Sequence, residues 1–312
     1  MGRHEGGLGA MLITVECDLF LSPATVLVNP VNTAGVMGSG VSAEFKRFFP
    51  GVFDQYRALC DAGKLTLGRV WLAQAGAKRI LHLPVKAHWR SAAKRGDLES
   101  AVQLLVSRWA EWGIGSLAVP QFEETDLRWE DDIRPVLESA LAALPIPVYL
   151  HTYDRKNDPA RSLRQIDSLL NKPTTRVDSV RFWRELGRAI RKADGKFTST
   201  DGKPFTASID SGARRQLLTL TPEGNEPVVF SDSTLAELWT AVQSAGLLMA
   251  WQFPGAVESC ATYLIPVLAG LDWVRAVKTG ITGEAGTVNA MLFIPPPAAQ
   301  APRTLTLIPS EA

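Results

Sequence analysis

The stretch VNPVNTAGVMGSGVSAEFKRFFP, Val28 to Pro50, constrains this chain more than any other: an apolar strand passes through a polar, glycine-rich turn into a helix. Glycines permit positive φ and close backbone approach, while the first amides of a helix and its positive dipole end attract an anion. The turn is therefore built to hold an anionic ligand beyond a strand end. Gly38-Ser39-Gly40-Val41-Ser42-Ala43 formally matches the dinucleotide fingerprint G-x-G-x-x-A. That fingerprint also needs an acidic residue after the next strand, and GRVWLAQA ends without one. The long polar connection Asn-Pro-Val-Asn-Thr-Ala-Gly is likewise foreign to a tight dinucleotide turn. A P-loop is excluded, since no Gly-Lys-Ser/Thr follows.

Around this element, short apolar runs alternate with helical periodicity. MLITVECDLFL, TVLVNPVN, GRVWLAQA, RILHLPV, IGSLAVPQF and PVYLHTY read as strands, and helices fit 41–49, 52–62, 98–112 and 131–144. Continuous apolar strands between helices predict a mostly parallel sheet covered on both faces, with its ligand beyond the strands' carboxyl ends. Charge, proline and threonine interrupt the rhythm at 156–178, which reads as a linker that can include a short helix. Residues 1–10 read as a disordered leader, 11–155 as the first domain, 179–298 as a second, smaller α+β domain, and 299–312 as a tail with a strand at RTLTLI. Within the second domain, AVESCATYLIPVLAGLDWVRAV reads as one helix interrupted at Pro266.

The chain is 46% hydrophobic and 21% charged, ordinary for a globular protein of two domains, and no apolar run approaches the ~20 residues of a membrane helix. With no signal-peptide pattern either, the expected compartment is the cytoplasm. Three cysteines without ligand spacing predict neither a disulfide framework nor a metal site. From Arg155 to Lys196, 12 Lys/Arg stand against 5 Asp/Glu, and Arg181, Arg184, Arg188 and Arg191 recur at helical spacing. This stripe reads either as a solvated face or as a contact for DNA or RNA phosphate.

Taken in order, VNPVN, the GVMGSGV cluster, FK..FP, C..GKL..G and LPVKAHWR resemble the macrodomains, and within them the terminal ADP-ribose glycohydrolases and the antitoxins that remove ADP-ribose from DNA. The resemblance spans roughly residues 12 to 153. It implies a three-layer α/β/α fold with a mixed, mostly parallel sheet, and ADP-ribose as ligand, with no cofactor. By position it assigns Asp18 and Leu19 to the adenine, and Asn29 and Asn32 to the first loop, the latter beside the distal ribose. Gly35, Val36, Met37, Gly38, Ser39, Gly40 and Val41 wrap the diphosphate, while Trp89, Pro120, Gln121 and Phe122 complete the ligand set.

Lys86 takes the place of the lysine on which the glycohydrolase branch relies. Two roles stay open for it. A neutral amine attacks the anomeric carbon of the distal ribose, or a charged ammonium pairs with phosphate. The second phosphate loop departs from the family's glycines and reads Gln121-Phe122-Glu123-Glu124-Thr125-Asp126-Leu127-Arg128-Trp129. Carboxylates beside a diphosphate repel it by about 1 to 4 kcal/mol per contact. Either one of Glu123, Glu124 and Asp126 acts as acid or base, with Glu123 and Asp126 expected beside Lys86, or the loop no longer cradles phosphate. Thr125 is the nearest match to the branch's resolving aspartate. The expected activity is ADP-ribosyl hydrolysis on modified nucleic acid or protein. The alternatives are a non-catalytic reader, and an antitoxin whose residues 179–298 sequester an ADP-ribosyltransferase.

Overall fold

The computed structural model describes residues 11–124, 126–153, 162–211 and 215–298; the expected leader, the tail strand RTLTLI and the first part of the linker lie outside them. The first unit runs β1 (Met11–Val15), β2 (Val26–Asn32), α1 (Gly40–Phe48), α2 (Pro50–Asp61), β3 (Trp71–Ala75), β4 (Lys78–Lys86), α3 (Arg95–Arg108), β5 (Leu117–Pro120), α4 (Arg134–Leu141) and β6 (Pro147–His151). Strand β2 is buried at every position, so it requires neighbours on both edges and cover on both faces. It pairs parallel with β4 on one side and with β5 on the other, and β5 continues parallel through β6 to β1. β3 closes the far edge antiparallel to β4.

Alternation along β1 sorts the two faces. Leu12 joins the core that holds Leu98 and Leu105 of α3 and Val136 and Leu137 of α4. Ile13 and Val15 join the opposite core, with Val41, Phe45 and Phe48 of α1 and Val52 of α2. Part of the linker is structured: α5 (Leu163–Asn171) starts at Ser162, whose Oγ accepts from Gln165 N at 3.3 Å, and buries Ile166 and Leu170 in that second core.

The remaining residues form α6 (Ser179–Lys192), β7 (Lys196–Thr198), β8 (Pro204–Ser211), β9 (Gln216–Pro222), β10 (Val228–Ser231), α7 (Asp232–Ala245), β11 (Leu247–Met249), α8 (Gly255–Glu258), α9 (Ala261–Leu268), β12 (Val274–Ile281) and β13 (Val288–Phe293). A separate antiparallel sheet, β10-β9-β8-β7, packs with α6, α7 and α9 as the smaller α+β body. The helix expected from Ala256 to Val277 ends at Leu268, and Asp272-Trp273-Val274-Arg275-Ala276-Val277 leads into strand β12 instead. β1 has an open edge toward β12, and pairing with it satisfies a row of main-chain groups that a longer helix would leave exposed. The result is a nine-stranded sheet ordered β11-β13-β12-β1-β6-β5-β2-β4-β3.

The two bodies thus share strands. Along β13, Ala290 and Leu292 face the core of the first unit, while Met291 and Phe293 face the core of the second. Truncating fully buried Leu292 to Ala should destabilise the chain by about 2–5 kcal/mol. It should also lower a single unfolding transition shared by both bodies. Two separated transitions in calorimetry would show that the strands do not couple them.

Candidate active site

Parallel pairing of β2 with β4 and β5 brings three loops to one end of the sheet: the turn after Asn32, the segment after Lys86 and the segment after Pro120. The first is held by Asn32 itself. Its Oδ1 accepts from Ala34 N at 3.0 Å and Val36 N at 3.2 Å, and its Nδ2 donates to Val36 O at 2.7 Å. Tyr56 O–H donates to Asn32 O at 2.6 Å and stacks on His82, which also meets Trp71. The asparagine amide expected at the ribose is engaged in shaping the turn.

Gly35 has φ +73°, and a Cβ there would lie 3.2 Å from Arg57 Cγ, so close packing of α2 requires glycine at this position. Gly40 has φ +60° with open space where a Cβ would sit. Ser39 provides no side-chain cap to α1, so the first amides of the helix, lacking intrahelical acceptors, are left for a ligand. Asn29 and Met37 lie beneath: Asn29 is fully buried and its Nδ2 contacts Met37 Sδ at 3.8 Å.

Above this floor is a cleft of about 590 Å³. Asn32, Val36, Gly38, Ser39, Gly40 and Val41 line one wall, and Lys86, Trp89, Gln121, Phe122 and Glu123 line the other, as does Glu124. Lys86 and Glu124 form an ion pair, their side chains 14% and 17% exposed. Glu124 is aimed by a tight turn, in which Glu124 N donates to Leu127 O at 3.0 Å and Leu127 N donates to Glu124 O at 3.2 Å. Buried Phe122, Leu127 and Trp129 anchor that turn in the core.

The expected ligand set therefore divides. Asp18, its Oδ1 accepting from Phe20 N at 2.9 Å, is buried with Leu19, and neither lines this cleft. Gly35, Pro120 and exposed Asp126 also lie outside its lining, and Thr125 is outside the described residues. Glu124, not Glu123 or Asp126, is the carboxylate that meets Lys86. Its place after β5 was the available signal, but three neighbouring acids made the choice depend on side-chain direction. Trp89 stands at the cleft wall, 46% exposed, with the Arg90 guanidinium 4.1 Å from its ring centre.

Residues 28–125 match the family model for the Macro domain. The unit that carries the cleft is a macrodomain. It is similar to the DNA ADP-ribosyl glycohydrolase of Mycobacterium tuberculosis, 35% identical over 134 residues, which are 41% of this chain and 38% of that protein. It is also similar to a DNA ADP-ribosyl transferase–DNA ADP-ribosyl glycohydrolase fusion protein of Thermosipho africanus, 30% identical over 178 residues, 50% of this chain and 46% of that one. Among solved structures, the macrodomain of Thermus aquaticus DarG is 33% identical and aligns over 46% of this chain and 98% of its own, with a TM-score of 0.43. The chain spans less than half the length of the two curated relatives.

Burial holds two histidines neutral. The pKa of His82, beneath the turn, is lowered from 6.5 to about 3. That of His151, whose Nδ1 donates to Cys17 O at 3.1 Å, is lowered from 6.5 to about 4. Below pH 6.5 the unfolded chain binds protons that the folded chain refuses, so acid favours unfolding. Urea midpoints should fall as pH drops from 6.5 toward 4, each histidine contributing about 1.4 kcal/mol per unit. His82→Phe keeps the stack and should flatten that slope; an unchanged slope would place the titration elsewhere.

Proposed function

We propose that this chain is an ADP-ribosyl hydrolase, releasing ADP-ribose from a modified macromolecule, with Lys86 as nucleophile and Glu124 as its proton partner. The observation that carries the reading is the Lys86–Glu124 pair across a cleft floored by the start of α1. The uncapped amides at Gly40 to Ser42 suit a diphosphate, and Trp89 and Gln121 face the opposite side. The names of the similar proteins point to the same reaction class and put DNA first among acceptors.

In this reading Glu124 takes a proton from the Lys86 ammonium, and the freed Nζ pair attacks the anomeric carbon of the distal ribose. The bond to the acceptor breaks with its electron pair on the acceptor atom, which takes the proton back from Glu124. Water then adds to the same carbon, gives its proton to Glu124 and expels the lysine amine, so that one water is consumed and free ADP-ribose leaves. Glu124 supplies the carboxylate that the resemblance seeks near Thr125.

Lys86→Ala and Lys86→Arg should both reduce kcat on an ADP-ribosylated oligonucleotide or peptide by at least about a hundredfold, and Glu124→Gln by about 10² or more. Wild-type turnover in Lys86→Arg would show that only the positive charge is needed and would remove the nucleophile. Gly40→Val, strained at positive φ and projecting into the cleft, should weaken ADP-ribose binding by calorimetry at least tenfold. Unaltered affinity would show that the ligand does not approach α1.

A second reading is favoured by the ion pair itself: a lysine already held by a carboxylate, beside a loop without phosphate-binding glycines, suits a non-catalytic reader. Calorimetric binding of ADP-ribose while modified substrates stay intact would decide for it. The fused transferase in the similar Thermosipho protein extends this to a chain that works beside an ADP-ribosyltransferase. Of the arginines of α6, Arg184 and Arg188 share the single charge of Glu185 and Arg181 lies over Trp273, so the stripe keeps a net positive charge for a nucleic-acid contact.

A further inference from the structure

In the hydrolase reading the group bonded to the distal ribose leaves past Lys86, so the chain that follows β4 is the wall nearest to it. That chain is a turn fixed at both ends. Thr33 N donates to Lys86 O at 3.1 Å and Ala87 O at 3.2 Å, and Thr33 Oγ1 donates to Ala87 O at 3.0 Å. Further on, Ser91 N and Ser91 Oγ donate to His88 O at 2.9 and 2.8 Å, His88 N donates to Ser91 Oγ at 2.9 Å, and Arg90 N donates to His88 Nδ1 at 3.2 Å. Trp89 and Arg90 occupy the two central positions of this turn and are displayed from a held backbone. Among the described residues the exposed large apolar side chains are Val36, Trp89, Val180 and Val229. The two that belong to the first unit, Val36 and Trp89, both line the Lys86 cleft, from opposite walls.

The turn pairs an aromatic surface with uncompensated positive charge. The Arg90 guanidinium lies over the indole and the His88 ring is 5.4 Å from it, yet the indole stays largely open to solvent. Among the described residues, exposed Arg90 and Lys94 form no ion pair, whereas Arg95 is bound to Glu99 at 2.8 Å. A ring on which a base can stack, beside cations that neutralise phosphates, is the chemistry that holds a single nucleic-acid strand. A cationic peptide would be repelled here, and an acidic one would meet the cations without a planar group for the indole. A base stacked between neighbours in a duplex has no free face, so the strand is single or the base is turned out of its stack.

We infer that Trp89 and Arg90 determine specificity on the acceptor side, the indole stacking on the base that carries ADP-ribose and Arg90 binding the adjoining phosphate. The inference rests on the hydrolase reading and gives Trp89 to the leaving group more than to ADP-ribose itself. The full chain is assayed on an ADP-ribosylated single-stranded oligonucleotide and on an ADP-ribosylated acidic peptide without aromatic residues. The oligonucleotide should exceed the peptide in kcat/KM by about tenfold or more. Trp89→Ala should lower that ratio about tenfold, through KM, and Trp89→Phe should restore most of it. Arg90→Gln should reduce the slope of log kcat/KM against log salt on the oligonucleotide by about 0.7. A peptide turned over as well as the oligonucleotide, equal losses on both substrates in Trp89→Ala, or an unaltered salt slope in Arg90→Gln overturns the inference. Should neither substrate be cleaved, the hydrolase reading fails separately, and fluorescence anisotropy with the labelled modified oligonucleotide decides the turn. Oligonucleotide affinity weakened about tenfold by Trp89→Ala, with ADP-ribose affinity weakened less, retains the stacking role, and equal losses remove it.

Discussion

Everything at the candidate site depends on β2 being paired on both edges. A fully buried parallel strand cannot shift register without moving its apolar side chains out of two cores at once, so the turn after Asn32, the loop after Lys86 and the loop after Pro120 end at one level. Asn32 then fixes the first of these through its own amide, and Tyr56 fixes Asn32. The ligand-facing backbone is therefore held by side chains that need not touch a ligand. This is the arrangement that preorganised amide donors require, since a floppy turn would lose in ordering what it gains in contact.

The cleft balances two opposing electrostatic demands. The start of α1 favours an anion, while a loop bearing Glu123 and Glu124 disfavours one. Pairing Glu124 with Lys86 reconciles them. With its charge taken up by the ammonium, the carboxylate no longer projects an uncompensated field toward the helix start, and the partial burial of both side chains makes the pairing stronger than one at the surface. A proton moved from lysine to glutamate converts that ion pair into two neutral groups, so the chemistry proposed for the pair leaves no net charge stranded in the cleft.

Much of the first unit was legible in the sequence because its signals are local. Runs such as VLVNPV and RILHLPV declare buried strands, and the glycine cluster before Val41 declares a helix start. What was not legible depends on partners distant in the chain. β12 looked like the end of a helix because Trp273, Val274 and Val277 fit helical spacing, and only the open edge of β1, some 260 residues earlier, makes a strand the better solution. Among the three acids after β5, the one that meets Lys86 is chosen by a turn whose direction is set by burial of Leu127 and Trp129. The arginine periodicity of α6 was correctly seen as helical, yet Glu185, one residue from Arg184 and three from Arg188, binds both and offsets one of the stripe's charges.

The shared strands give the smaller body a structural reason to exist. A macrodomain sheet ending at β1 would present an exposed edge, and β12 removes it while bringing the β12–β13 turn alongside α4. The same pairing that protects the edge thus creates a wall the first unit cannot build alone. Because β13 alternates between two cores, that wall cannot move independently of either body.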